Sequence, residues 1–245
     1  MSKFILVFFL LLVPILIFGQ TFNTQTVTSG NINSNRSISY GPSGEPYILF
    51  HNQYSLHLSF WNGGSWQTNH IGGTWSNIKI FRTDTCFYYV GSSGSYIYFH
   101  RLSFAGIATQ LGNFGPVGEW SACLANDKIN ILIAYHNGGL YFRKFNLLTH
   151  SASTAEIADG LSSSGTQSDI TQGTDNRIWI SYKEYNNQDI RMARSKHSGG
   201  WDWWYVETTG DVGNYSQIAI DASNVAHITY YDATNRRLKY ATFNP

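Results

Sequence analysis

Hydrophobic and polar positions repeat along this chain on one plan, clearest near the C-terminus. From Ser216, SQIAIDASNVAHITYYDATNRRLKYATF runs through a short strand, a turn, an apolar strand ending in aromatics, a second turn and a third strand. The plan recurs from Ser168 (SDITQGTDNRIWISYKEYNNQDIRMARS), Ser121 (SACLANDKINILIAYHNGGLYFRKF), Ser76 (SNIKIFRTDTCFYYVGSSGSYIYFHRL) and Ser37 (SISYGPSGEPYILFHNQYSLHLSFW). These serines recur at roughly the 40–50-residue period of a four-stranded blade.

The second runs, Tyr47–Phe50, Cys86–Val90, Ile129–Tyr135, Ile178–Tyr182 and His227–Tyr231, are rich in Ile, Tyr and Phe. Such runs are inner strands covered on both faces. The third runs alternate, as in Leu56–Phe60 and Leu238–Thr242, which marks one packed and one wetter face. Gly44, Asp127, Lys128, Asp175, Asn176, Asp221 and Asn224 supply turn chemistry between first and second strands. Fourth strands are expected at Trp66–Ile71, Ile107–Leu111, Ser153–Ala158 and Trp204–Thr208. The last unit has none, but Phe22–Thr28 followed by Gly30 resembles Trp204–Thr208 followed by Gly210. The expected fold is therefore all-β: a five-bladed β-propeller of four-stranded antiparallel blades, closed by the N-terminal strand pairing into the last blade.

The repeat resembles that of many secreted bacterial β-propeller proteins, in which S-x-x-x-D-x-x-x-x-x-H-I-x-Y-Y-D is followed by L-K-Y-A. Ser216–Ala241 is the best copy and the unit from Ser76 the most degenerate. The resemblance implies the fold and secretion, with no single activity. The S-x-D-x-G-x-x-W box of sialidases is absent. Five-bladed lectins are the nearest functional analogues, by architecture rather than by motif.

The first residues differ from all that follow. One cation, Lys3, precedes the apolar stretch Phe4–Phe18, and Gly19 offers a small exit residue. This is the layout of a secretory signal peptide over residues 1–19, leaving residues 20–245 as one domain. Phe4–Phe18 is shorter than the roughly 20 residues a spanning helix needs. With 16 Lys and Arg against 15 Asp and Glu, the net charge is +1, so no nucleic-acid partner is expected, nor a membrane partner after leader removal. Aromatics make up 16% of the chain, suiting many short strands. Cys86 and Cys123 are the only cysteines; two buried thiols are expected, with one bridge as the alternative.

Strands alternate in direction within a blade. Loops entering first strands and loops leaving second strands therefore share one face, a ten-loop face. Just before the five serines stand Arg36, Trp75, Trp120, Gln167 and Tyr215. Three aromatics at one repeated position fit stacking on sugar rings and fit equally a wedge between blades. The second strands end in His51-Asn52, Val90-Gly91, His136-Asn137, Lys183-Glu184 and Tyr231-Asp232, and in four blades these add polar groups suited to hydroxyl-rich ligands. The ligand-binding candidates are accordingly Trp75, Trp120, Tyr215, Arg36, Gln167, His51, Asn52, His136, Asn137, Lys183, Glu184 and Asp232.

Asp169, Glu184, Asp211, Asp232 and Glu119 are the carboxylates expected near this face. No nucleophile elbow, phosphate-binding glycine loop or metal-ligand spacing is visible, so no metal or cofactor is expected. The leading expectation is a secreted, non-catalytic, lectin-like chain with a glycan or other extracellular ligand. The alternatives are a glycoside hydrolase or polysaccharide lyase using Asp169, Glu184 or Asp232, and a protein-interaction scaffold.

Overall fold

The computed structural model describes residues 24–29 and 32–244, and among these it holds twenty strands and no helix. They form five successive antiparallel sheets. The first is β1 (Ile32–Tyr40), β2 (Pro46–Asn52), β3 (Leu56–Trp61) and β4 (Trp66–His70). The second is β5 (Asn77–Arg82), β6 (Phe87–Ser93), β7 (Tyr96–Leu102) and β8 (Ala108–Phe114). The third is β9 (Trp120–Leu124), β10 (Asn130–His136) and β11 (Leu140–Asn146), with β12 (Ser151–Ala152) and β13 (Glu156–Asp159) both pairing β11. The fourth is β14 (Ser164–Gln172), β15 (Ile178–Glu184), β16 (Asp189–Ser195) and β17 (Trp201–Glu207). The fifth is β18 (Val212–Ile220), β19 (Ala226–Asp232) and β20 (Arg237–Phe243).

The burial of each strand follows its composition. Every residue of β15 and all but the terminal residues of β10 are buried: β10 by its apolar run, and β15 by apolar residues together with Ser181, Lys183 and Glu184, which are hydrogen-bonded. Outer strands β4 and β17 carry few fully buried side chains. The turns opposite the ten-loop end are built by their own side chains. Asp127 Oδ1 accepts the N–H groups of Ile129 and Asn130, and Asp221 Oδ1 accepts those of Ser223 and Val225. Lys128, Asn176 and Asn224 take left-handed backbone there, with φ of 54°, 64° and 62°. These recurrent acidic turns are structural.

Four buried cores join successive sheets. Leu49 and Leu58 meet Ile78 and Phe87; Phe99 meets Ile133 and Phe145; Leu140 and Phe142 meet Ile180 and Tyr182; Trp179 and Ile190 meet Val212 and Ile228. Phe99 and Phe145 stack in parallel at 3.8 Å across the second of these cores. Each such side chain contributes on the order of 1.5–3 kcal/mol through burial. The first strands of neighbouring sheets also pack together, β1 on β5, β9 on β14 and β14 on β18. Five four-stranded or similar sheets in sequence order, each facing the next, make a propeller-like fold.

One expectation is corrected here. The fourth strand expected over Ser153–Ala158 is only the short β13, preceded by β12, because between them Ser153 Oγ takes the Lys144 N–H at 3.1 Å in place of a backbone carbonyl. Of the expected N-terminal closing strand, Thr24–Thr28 are described. Thr24–Ser29 lie in no strand, and the Trp66 indole N–H on outer strand β4 donates to Gln25 Oε1 at 3.0 Å. That bond holds Gln25 against the first sheet, and among the described residues no strand pairs with the outer edge of β20. Phe22, Asn23 and the proposed leader lie outside the described residues. Both cysteines are free thiols: Cys86 is buried in the second unit, and burial pushes Cys123, in the third, up to about 12.

Candidate active site

The ends of β14 and β18 differ from those of β5 and β9, whose ladders keep register. The ladders of β14 to β15 and of β18 to β19 each slip twice, first between Ser164 and Thr166 and between Val212 and Asn214, then between Thr166 and Asp169 and between Asn214 and Gln217. Gln167 and Tyr215, the residues before the anchoring serines, sit at the second slip with φ of 47° and 55°. A non-glycine residue in this left-handed region is strained and needs outside support. The support comes from the preceding sheet in both cases. The Gln167 N–H donates to Glu119 Oε2 at 2.5 Å, and the Tyr215 N–H donates to Gln167 Oε1 at 2.7 Å. Ser216 Oγ adds a bond to the Gln167 carbonyl at 3.1 Å.

This relay continues into an ionic cluster. Lys183, buried near the end of β15, donates through Nζ to Asp211 Oδ1 at 2.5 Å and to Asn214 Oδ1 at 2.8 Å. Asn214 Nδ2 returns a bond to Asp211 at 3.0 Å, and Gln167 Nε2 lies 3.5 Å from Asn214 Oδ1. The bond from Lys183, helped by that from Asn214, holds the Asp211 carboxyl below the usual carboxylate range. Asp211 stays partly open to solvent, and Glu119 is exposed. A cavity of about 400 Å³ opens beside this network, lined by Ser76, Ser92, Gly118, Glu119, Trp120 and Gln167 among others. The cavity draws on the second, third and fourth units, and the bonded network carries on from it through the third, fourth and fifth, making one polar mouth at the ten-loop end.

The carboxylates singled out for catalysis are engaged elsewhere. Asp169 Oδ2 accepts the Ile218 N–H at 3.0 Å, tying β14 to β18, and burial raises its pKa. Glu184 is buried; burial works to raise its pKa, but bonds from Ser163 Oγ and from the N–H groups of Asn186 and Asn187 lower it overall. Asp232, also buried, accepts both the N–H and the side-chain amide of Asn235 at 2.9 Å. All three hold loops and strands together.

The expected aromatic trio does not assemble. Trp120 is buried in the core between the second and third sheets. Trp75 is half-buried against Tyr98 and His100, at 5.3 and 5.1 Å between ring centroids. Gly91 makes room for it, since a Cβ there would come within 3.0 Å of the Trp75 ring. Of the three, Tyr215 alone is exposed, at 77%. Arg36 lies at the first sheet beside a separate cavity formed with Ser37, Ile38 and Ile48. His51 is buried, and Asn52 caps its own loop by accepting the N–H groups of Tyr54 and Ser55. His136 is held by Nδ1 to the Ser164 carbonyl at 2.7 Å, with Asn137 exposed beside it. Of the sequence candidates, Gln167, Lys183 and Tyr215 thus come together. Asn214 is not among the sequence candidates, and Glu119 and Asp211 are there only as carboxylates near the face. Their one sequence signal is position, at the entrances to first strands.

Among the described residues no group of three or more His, Cys, Asp or Glu side chains is arranged to hold a metal ion. No described helix is long and apolar enough to cross a membrane.

No family model matches the chain, and no curated protein matches it in sequence. Solved structures do match in fold. An exo-β-1,3-galactanase from Phanerochaete chrysosporium with galactose aligns at TM-score 0.54 and 8% identity, over 85% of this chain and 59% of that one. A variant of the same enzyme with β-1,3-galactotriose aligns at TM-score 0.55 and 8% identity, over 85% and 60%. The chain thus spans about three-fifths of the length of those structures. The likeness is one of fold: all-β and propeller-like. The expectation of a non-catalytic, lectin-like chain is corrected: the structures that share this chain's fold are those of an exo-β-1,3-galactanase, and two of the three repeated aromatics it relied on, Trp75 and Trp120, pack inward.

Proposed function

We propose that this chain is a glycan-acting enzyme of the glycoside hydrolase type, working outside the cell, with its active site at the polar mouth of the third, fourth and fifth sheets. In this reading the five sheets are blades of one ring, and the ten-loop end receives substrate. One observation carries it: Glu119, exposed and lining a cavity, and Asp211, partly exposed, are two carboxylates on a single hydrogen-bonded network. Hydrolysis of a glycosidic bond uses two carboxyl groups, one donating a proton to the leaving oxygen and one acting as base or nucleophile. Asp211, held ionised by Lys183, fits the second role. Glu119 is assigned the first as the exposed carboxyl at the other end of the network, held in place through Oε2 by the Gln167 N–H. Gln167 and Asn214 then act as positioning residues between the two.

The test is release of reducing sugar from a panel of polysaccharides that includes β-1,3-linked galactan. Glu119→Gln and Asp211→Asn are each expected to lower turnover about 100-fold or more at unchanged fold, judged by circular dichroism. Product formation that survives both substitutions, or none from any polysaccharide by the unaltered chain, would overturn the reading.

A further inference from the structure

Two exposed tyrosines stand on the same end of the fourth and fifth sheets as the proposed catalytic pair. Tyr215 is 77% exposed and Tyr185 66% exposed. An exposed ring on a mobile loop is ordinary, but neither backbone here is loose. Tyr185 donates its N–H to the Ser163 carbonyl at 3.0 Å, and the loop after it is pinned by Glu184 accepting the N–H groups of Asn186 and Asn187. Tyr215 sits in left-handed backbone, which a bulky side chain enters only at a cost, and Gln167 Oε1 holds it there. The loops that present them are joined: the Val212 N–H donates to the Gln188 carbonyl at 2.9 Å, and the Ala233 N–H donates to the Asp211 carbonyl at 2.8 Å. Lys183, two residues before Tyr185, donates to Asn214 Oδ1, one residue before Tyr215, at 2.8 Å, so the segments that carry the two rings meet through this pair. The surface therefore combines two aromatic side chains on held backbone with a bridging set of charged and amide groups. Aromatic faces take the apolar faces of pyranose rings, and the polar set takes their hydroxyls.

We infer that Tyr185 and Tyr215 form a stacking platform for an extended polysaccharide chain that enters the Glu119–Asp211 mouth across the fourth and fifth sheets. The inference rests on the glycan-acting reading above and adds its substrate class: a polymer gripped over several sugar units, rather than a mono- or disaccharide held in the cavity. The strain at Tyr215 is then spent on fixing a ring where substrate passes.

Native gels cast with β-1,3-galactan, arabinan, xylan or hydroxyethyl cellulose test it directly, using the full chain and its Glu119→Gln variant. Both are expected to be retarded by at least one polymer. Tyr185→Ala and Tyr215→Ala are each expected to weaken that retardation by about tenfold or more in apparent Kd, and Tyr215→Phe to preserve it. Retardation of the alanine variants equal to that of the unaltered chain, or retardation by none of the polymers, overturns the platform. Failure of the catalytic reading is separable: the gels would still retard the protein and the tyrosine variants would still fail, while no product formed.

Discussion

The residue before the anchoring serine meets opposite fates in the second and third units and in the fourth and fifth. At the second and third units it is tryptophan, and Trp75 and Trp120 pack inward. At the fourth and fifth it is Gln167 and Tyr215, turned into the polar mouth or into solvent. The backbone explains the difference. β9 meets β10 in unbroken register, with Trp120 opposite Tyr135, so the side chain follows the strand's alternation into the core. β14 and β18 insert a bulge at the same point, and the left-handed residue breaks that alternation. A repeat can thus serve packing in one unit and build a polar network in another by letting its ladder slip. The mouth is polar where the ladder is irregular and apolar where it is regular.

The sharpest way to break this contrast is to truncate its two sides. Trp120→Ala should cost about 3–5 kcal/mol of stability through the cavity it leaves, whereas Tyr215→Ala should change stability by about 0.5 kcal/mol or less. Urea denaturation of both variants measures this, and equal losses would show that the repeated position has one role throughout.

A pH series separates the same two regions. His100 stacks on Tyr89 at 4.4 Å under Trp75, and burial pushes its pKa down to about 4. The folded chain keeps this imidazole neutral, while the unfolded chain protonates it near pH 6.5. The unfolded state therefore binds more protons between those values, and stability falls as pH drops from 6.5 to about 4, by on the order of 3 kcal/mol. His100→Phe should flatten the curve in that interval. At the polar mouth the Lys183–Asp211 pair acts lower: its contribution is present above the ordinary carboxylate range and is lost as pH falls through the depressed pKa of Asp211. An unchanged profile in His100→Phe would remove the histidine from this account.

The smallest effect tests the strain itself. Tyr215→Gly should raise stability by about 1 kcal/mol, because glycine adopts φ near 55° without steric cost. Thermal melts of the glycine and alanine variants make the comparison, and a glycine variant no more stable than the alanine one would mean that Gln167 relieves the strain in full.

Much of the fold was legible from the chain. The inner strands lie within one to three residues of the expected runs, as with β15 at Ile178–Glu184 and β19 at Ala226–Asp232. The acidic turns also form as expected, since an aspartate bonding the N–H groups two to four residues on is a local event. The site was only partly legible. Lys183 and Gln167 were marked by their place in the repeat, but Asp169, Glu184 and Asp232 were marked equally and prove to be internal ties. Composition does not tell an engaged carboxylate from an open one.

Periodicity, turn chemistry and repeat spacing act over a few residues or restate one plan five times, and they settled the strands, the turns and the succession of sheets. The bonds that make the mouth join positions tens of residues apart, Glu119 to Gln167 to Tyr215 and Lys183 to Asp211. Gln167 and Tyr215 are not glycines; the one local signal is two residues earlier, where Gly165 and Gly213 take φ of 97° and 91° at the first slip of each ladder. Which rim residues are buried and which carboxylates stay open depended on how neighbouring sheets meet, and that is a property of their packing rather than of any one stretch of chain.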